Sequence, residues 1–200
     1  MNAVATQDVW LIRHGETEWT VSRRHTGLTD LPLTKAGEDQ ARLLRNCLQH
    51  ASFESVFCSP LQRAVRTCEL SGYGSVAEVD RDLVEWNYGD YEGEKRPQIL
   101  AKRPTWIIFR DGCPNGESPE DVVARGDRFL SRIRTIRGNV AVFSSGHFLR
   151  VLIARWLGLD PSAGRYFKLG TATLTVLGYD HNTTDEPVIR ILNERPSSMH

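Results

Sequence analysis

Arg13-His14-Gly15 follows the apolar run Val9-Trp10-Leu11-Ile12, which places a guanidinium beside an imidazole at the end of a strand-like segment. A planar guanidinium grips phosphate oxygens through two parallel hydrogen bonds, and a neutral imidazole nitrogen can attack phosphorus. An Arg-His pair by itself is more often a surface coincidence. Arg63 and His147 alter that weighing, because each follows another expected strand. Three strand-to-helix junctions thus deliver cationic or imidazole groups to the carboxyl ends of strands, where open α/β sheets bind ligands.

The elements that must position these groups are legible as alternating apolar runs and amphipathic stretches, the pattern of an α/β domain with a mostly parallel sheet. Thr34 to Gln49 carries Ala41, Leu44 and Leu48 at helical spacing, and Ser55-Val56-Phe57-Cys58 reads as the next strand. Ser59-Pro60-Leu61-Gln62 has the form of a helix start, with Ser as cap, Pro at the first helical position and Gln closing a capping box. Ser118-Pro119-Glu120-Asp121 repeats that form before Val122, Phe129, Ile133 and Ile136. Asn139 to Phe143 is a buried strand that hands Ser144-Ser145-Gly146-His147 to a loop, after which Leu149, Leu152, Ile153 and Trp156 mark a helix. Thr171 to Leu177 is a further strand, Val188 to Leu192 an edge strand, and residues 195–200 a disordered tail. The expected architecture is a three-layer α/β/α sandwich in one domain, with residues 94–116 as a covering insertion or lid rich in Gly, Pro, Lys, Arg and Trp.

Composition narrows the function classes. The chain has 200 residues, 40% of them hydrophobic, enough for one sizeable core. Its 25 Lys plus Arg balance 25 Asp plus Glu, which speaks against a nucleic-acid or membrane-surface partner. Any anionic ligand must be met by locally gathered charge. No apolar run is long enough to span a bilayer, and Met1 to Asp8 lacks the pattern of a secretory signal, so a cytoplasmic location is expected. Cys47, Cys58, Cys68 and Cys113 form no CxxC pair and read as reduced thiols, with Cys47 and Cys68 filling core space and Cys113 exposed and reactive in a turn. His25, His50, His181 and His200 have no metal-ligand spacing and read as solvated or structural, so neither a metal nor another cofactor is expected. Trp10, Trp86 and Trp156 are core candidates, and Trp106 is placed to shape a pocket from the insertion.

The ordered motifs resemble those of the histidine phosphatase superfamily, also called the phosphoglycerate mutase-like family. Its RHG motif is Arg13-His14-Gly15. Agreement continues through Thr26-Gly27-Leu28-Thr29-Asp30-Leu31-Pro32-Leu33-Thr34, Ser59-Pro60 with Arg63-Ala64 and Thr67, then Leu83, Glu85 and Tyr88-Gly89-Asp90-Tyr91-Glu92-Gly93. Trp106, Phe109 to Glu117 and Gly146-His147-Phe148-Leu149-Arg150 look closest to the sedoheptulose bisphosphatase-like branch.

The resemblance implies His14 as nucleophile, Arg13, Arg63 and His147 as a phosphate clamp, and Glu85 as proton donor. Cations around His14 would depress its pKa and keep it nucleophilic, while the clamp spreads charge on the transferring oxygens. Glu85 must hold a proton to serve a departing alkoxide, and then acts as base toward water. Thr26 and Gly27 are expected to line the substrate pocket and Tyr88 to contact the substrate. Two positions depart from the family pattern. Thr20 stands where many relatives have an Asn that helps bind phosphate, and its hydroxyl is the substitute. Phe148 replaces a frequent Gly, leaving its backbone N–H to serve phosphate at a helix start. Lys95, Arg96, Lys102, Arg103 and Arg110 are either a second phosphate or sugar-acid site on the lid, or a solvated face.

The expected function is hydrolysis of a small phosphorylated substrate, such as a sugar phosphate or bisphosphate. A phosphoglycerate mutase is the nearest alternative, and a noncatalytic module that binds phosphorylated ligands is the second. Substrate identity and oligomeric state are open at this level.

Overall fold

The structure, a computed structural model, describes residues 7–181 and 183–196. Residues 1–6 and 197–200, and with them most of the Met1–Asp8 segment, most of the expected tail and His200, lie outside the described residues. The elements are β1 (Val9–Arg13), α1 (Glu18–Ser22), α2 (Lys35–Leu48), β2 (Ser55–Cys58), α3 (Gln62–Leu70) and β3 (Ala77–Val79). They continue with α4 (Arg96–Lys102), α5 (Ile108–Asp111), α6 (Pro119–Ile133), β4 (Val140–Ser144), α7 (Gly146–Trp156), β5 (Leu174–Tyr179) and β6 (Pro187–Glu194).

The six strands form one sheet in the order β3-β2-β4-β1-β5-β6. The first four are parallel, and β5 and β6 add on antiparallel. This is the mostly parallel α/β architecture expected. All five residues of β4 are buried, because it has a strand on each side and helices on both faces. Strand alternation divides the core. Leu11 and Val142, in register, join Phe129, Leu152 and Trp156 from α6 and α7. Ile12 and Phe143, one step along, face Leu44, Ala64 and Cys68 from α2 and α3. Each such fully buried large aliphatic or Phe side chain contributes roughly 1.5–3 kcal/mol.

Two local expectations are corrected. α3 starts at Gln62 with Leu61 at its cap and no side-chain cap from that residue, so Ser59 and Pro60 do not open the helix. Asp30 explains the shift: its carboxylate accepts the Gln62 N–H at 2.8 Å and its carbonyl accepts from the Gln62 amide, so a distant loop caps the helix. At β4, α7 begins at Gly146 directly after Ser144 and Ser145, with no intervening loop. By contrast, the Ser118 and Asp121 capping box forms as expected at the start of α6.

Cys113 is a third correction, because it is buried against the core rather than exposed. Burial pushes its thiol up to about 12, which leaves it protonated and unreactive at neutral pH. The 94–116 segment sends Ile99, Trp106, Ile108 and Phe109 inward as well, so it is packed onto the domain by its own apolar side chains. No helix among the described residues is long and apolar enough to cross a membrane.

Candidate active site

β1 and β4 run parallel side by side, so their carboxyl ends release His14 and Ser145 at the same sheet edge. The His14 N–H donates to the Ser144 carbonyl at 3.0 Å, which ties the two ends together. α7 then begins at once, placing Gly146 and His147 in its first turn beside Arg13 and His14. Gly146 packs closely on Arg13: a Cβ there would lie 3.2 Å from the Arg13 Cζ, so the guanidinium would have to shift by a few tenths of an ångström. The cavity at this edge holds about 220 Å³ and is lined by Arg13, His14, Thr20, Thr26, Glu85, Tyr88 and His147, together with Arg23, Arg24, His25, Gly146, Arg150 and Leu169.

Glu85 arrives from the segment after β3 and caps α7. Its Oε2 accepts the His147 N–H at 3.0 Å, and its Oε1 accepts the N–H groups of Phe148 at 2.8 Å and Trp86 at 2.9 Å. A carboxylate here meets unpaired backbone donors at the positive end of the helix, so its position is fixed. Oε2, with one partner, retains a lone pair able to carry a proton.

His14 is 3% exposed. Burial holds its pKa well below the usual imidazole value, and the nearby Arg63 and Arg13 add to that effect. The expected cationic contribution is present, but burial is the larger cause. The ring Nδ1 lies 2.7 Å from the Gly15 carbonyl, which can only accept, so in the neutral ring Nδ1 carries the proton and Nε2 keeps its lone pair.

His147 is paired through its Nδ1 with the Tyr88 hydroxyl. Burial pushes the phenol well above its ordinary value and the imidazole well below its own, with Arg150 the next cause of the imidazole's shift. Both partners are therefore neutral, a phenol against a neutral imidazole.

Arg63 does not line the cavity. Fully buried, it donates to the carbonyls of Thr26 at 3.2 Å, Gly27 at 2.7 Å and Thr29 at 3.0 Å. Glu92 accepts the N–H groups of Gly27 and Thr29, so the 26–29 loop is strung between a guanidinium and a carboxylate. Gly27 belongs to this bracing and not to the lining, and a Cβ on it would come within 2.5 Å of the Trp86 carbonyl. Phe148 also stays out of the cavity, buried beneath Arg125, and its N–H is already taken by Glu85. Thr20 reaches the cavity edge, although its hydroxyl is engaged with Thr17 at the start of α1.

His25 corrects the expectation of a merely solvated or structural ring. It lines the cavity, stacks on His147 at 6.1 Å and places Nδ1 2.9 Å from the Glu94 carbonyl. Its position directly before Thr26-Gly27 was the available signal. The lid cations fall away from the site: Lys102 pairs with Glu94, Arg103 and Arg110 meet Asp111, and neither these nor Lys95 and Arg96 line the cavity. Trp106 presents its ring edge to His25 at 5.5 Å, supporting the wall from behind. Among the described residues, no group of three or more His, Cys, Asp or Glu is arranged to hold a metal ion.

Comparison with known proteins finds likeness along nearly the whole chain. An acid phosphatase of Mycobacterium tuberculosis is 38% identical over 183 residues, covering 90% of each chain. The sedoheptulose 1,7-bisphosphatase of Saccharomyces cerevisiae is 32% identical, again with 90% of each covered. A solved structure of an open-reading-frame product from Mycobacterium tuberculosis superposes with a TM-score of 0.91 at 35% identity, covering 96% of this chain and 99% of that one. The histidine phosphatase superfamily (branch 1) matches residues 9–193. A phosphatase by this kinship, the chain belongs to the histidine phosphatase superfamily.

Proposed function

We propose that the chain is a cytoplasmic, metal-independent phosphatase that hydrolyses a small phosphomonoester, a sugar phosphate or bisphosphate, through a phosphohistidine on His14. The yeast relative named for a sugar bisphosphate supports that substrate class. The observation that carries the mechanism is the buried His14 imidazole, with Nδ1 committed to the Gly15 carbonyl and Nε2 left as the lone pair beside Arg13, His147 and Glu85.

In the first step Nε2 attacks phosphorus and the ester P–O bond breaks. Glu85, protonated on Oε2, gives its proton to the departing alkoxide. In this scheme Tyr88 donates to Nδ1 of His147, so that Arg13 and the Nε2–H of His147 hold the transferring oxygens, and Arg63 adds positive potential from below. In the second step the Glu85 carboxylate takes a proton from water, the hydroxide oxygen bonds to phosphorus, and the P–N bond breaks to return neutral His14 and inorganic phosphate. Phe148 contributes its N–H to Glu85 in this scheme, so its role is to fix the acid rather than to bind phosphate.

His14→Ala tests the scheme. Phosphate release from p-nitrophenyl phosphate in the presence of chelator should fall by about 10⁴-fold or more. Rapid quenching of the parent protein with labelled substrate should trap acid-labile label on His14. Release at the parental rate in His14→Ala would refute the nucleophile, and efficient transfer between phosphoglycerates with little free phosphate would make the protein a mutase instead.

A further inference from the structure

Among the described residues, five arginines are withdrawn from full exposure: Arg13, Arg63, Arg125, Arg150 and Arg155. Arg125 and Arg155 are each paired with a carboxylate, on Glu117 and Asp127 respectively. Arg13 and Arg63 both lie near His14, and in the scheme above Arg13 holds the transferring oxygens while Arg63 adds positive potential from below. Arg150 has neither a carboxylate partner nor a duty in that scheme, yet it lines the cavity.

Its guanidinium is built into place. Nε donates to the Gly164 carbonyl at 2.8 Å, Nη2 donates to the Arg165 carbonyl at 3.1 Å, and the Phe109 ring lies beneath at 4.6 Å. Nη1 makes no hydrogen bond among the described residues. Burial pushes this guanidinium down to about 10 even with the Glu85 carboxylate near enough to oppose the shift. Sheltering a cation with no counter-ion is unfavourable, and a bound anion would offset that cost. Arg150 also sits three residues beyond His147 on α7, hence on the same helix face as the phosphoryl site.

Arg23 and Arg24 reach the same cavity from the end of α1, and Arg24 is anchored by a bond to the Gly93 carbonyl at 3.0 Å. Neither has a carboxylate partner among the described residues. Counting Arg63 beneath, five guanidiniums surround the site, against one carboxylate, Glu85. A single phosphate ester brings about two negative charges and leaves part of that field unanswered.

We infer that Arg150, with Arg24 and Arg23, forms a second anion subsite beside the phosphoryl site, and that the preferred substrate is a small phosphomonoester bearing a second phosphate or carboxylate. This rests on the function proposed above and names its substrate class more narrowly. The sheltered, partner-short Arg150 carries the inference, and the two exposed arginines extend it toward the cavity mouth.

The test compares matched pairs of esters that differ by one anionic group: fructose 1,6-bisphosphate against fructose 6-phosphate for a second phosphate, and 3-phosphoglycerate against glycerol 3-phosphate for a carboxylate. In at least one pair the parent should favour the doubly anionic ester by about tenfold or more in kcat/KM, as a charged hydrogen bond supplies. Arg150→Gln and, separately, the exposed Arg24→Gln should collapse that ratio, with the loss falling mainly in KM. Calorimetric affinities of His14→Ala for the same pairs should show the same preference, which reads the subsite without turnover. Equal kcat/KM within both pairs, or a ratio that survives both substitutions, overturns the subsite while leaving the phosphatase reading intact. Turnover that persists in His14→Ala overturns the phosphatase scheme instead, and the calorimetric preference still decides the subsite.

Discussion

Arg13 and Arg125 are both sheltered arginines, and they are provided for in opposite ways. Arg125, on α6, spends all five of its donors: Nε and Nη2 on the Glu117 carboxylate, Nη1 on the carbonyls of Asp82 and Val84 at 2.7 Å each, and Nη2 again on the Glu85 carbonyl. Arg13 makes a single bond, to the Leu169 carbonyl at 2.6 Å, and its buried Nε has no partner. Arg63 stands between the two, with three bonds spent on loop carbonyls, a buried Nε without a partner and no face on the cavity. A guanidinium saturated by protein acceptors holds the chain in place, whereas one left short of acceptors is held ready for an anion. Arg125 still matters to the chemistry at one remove, because the backbone it clamps is the segment that carries Glu85.

The same substitution at both sites gives the sharpest way to break this contrast. Arg13→Met should lower kcat/KM for p-nitrophenyl phosphate by about 10³-fold, the scale of losing one charged stabiliser of the transferring oxygens. Its unfolding free energy in urea should stay within about 1 kcal/mol of the parent, because a desolvated cation is exchanged for an apolar side chain of similar length. Arg125→Met should instead lower the unfolding free energy by about 3 kcal/mol, since Glu117 loses its only ion-pair partner among the described residues and three carbonyls lose their donor. If both variants lose equal stability, the division between held and holding arginines fails.

Tyr88→Phe sharpens the comparison within the site. Removing the hydroxyl that fixes His147 should cost about tenfold in kcat/KM, a size typical of losing the partner that orients a functional imidazole. Imidazole ¹⁵N shifts should then show His147 as a mixture of tautomers; a purely structural Tyr88 would leave the Nε2–H form dominant.

The smallest effect expected is the pH dependence of stability. His14, His25 and His147 all have folded pKa values held below 6.5 by burial. The unfolded chain takes up protons first as pH falls, so their stabilising contribution is complete above pH 6.5 and is lost below it. Thermal midpoints should decline more steeply from pH 7 to 5 in the parent than in His147→Asn, and equal slopes would contradict the burial of that ring.

Much of the site was legible because its residues follow strands. Arg13-His14-Gly15 ends β1, and the alternation of Leu11 and Ile12 requires that strand to be covered on both faces. Glu85 was legible only through its motif, since a carboxylate beside Tyr88-Gly89 has no periodicity to reveal it. Arg125 was invisible, because a cation on an amphipathic helix ordinarily reads as part of a solvated face. His25 was misread for a related reason: a single imidazole in a loop carries no sign of the ring that will stack against it. The Cys113 turn was misread because a polar, Gly-rich stretch gives no warning that it will be pressed onto the core by Trp106 and Phe109.

Residue order alone determined the layered α/β design, the nucleophile candidate and its cationic company, since apolar periodicity and strand-end motifs are local properties that survive without contacts. Only the folded arrangement decided which side chains are lining and which are bracing. Arg63, Gly27 and Phe148 support from behind, while Arg23, Arg24, His25 and Arg150 face the cavity. The physical reason is that a donor's role depends on whether acceptors from distant segments have already claimed it, and that competition exists only once those segments are packed together.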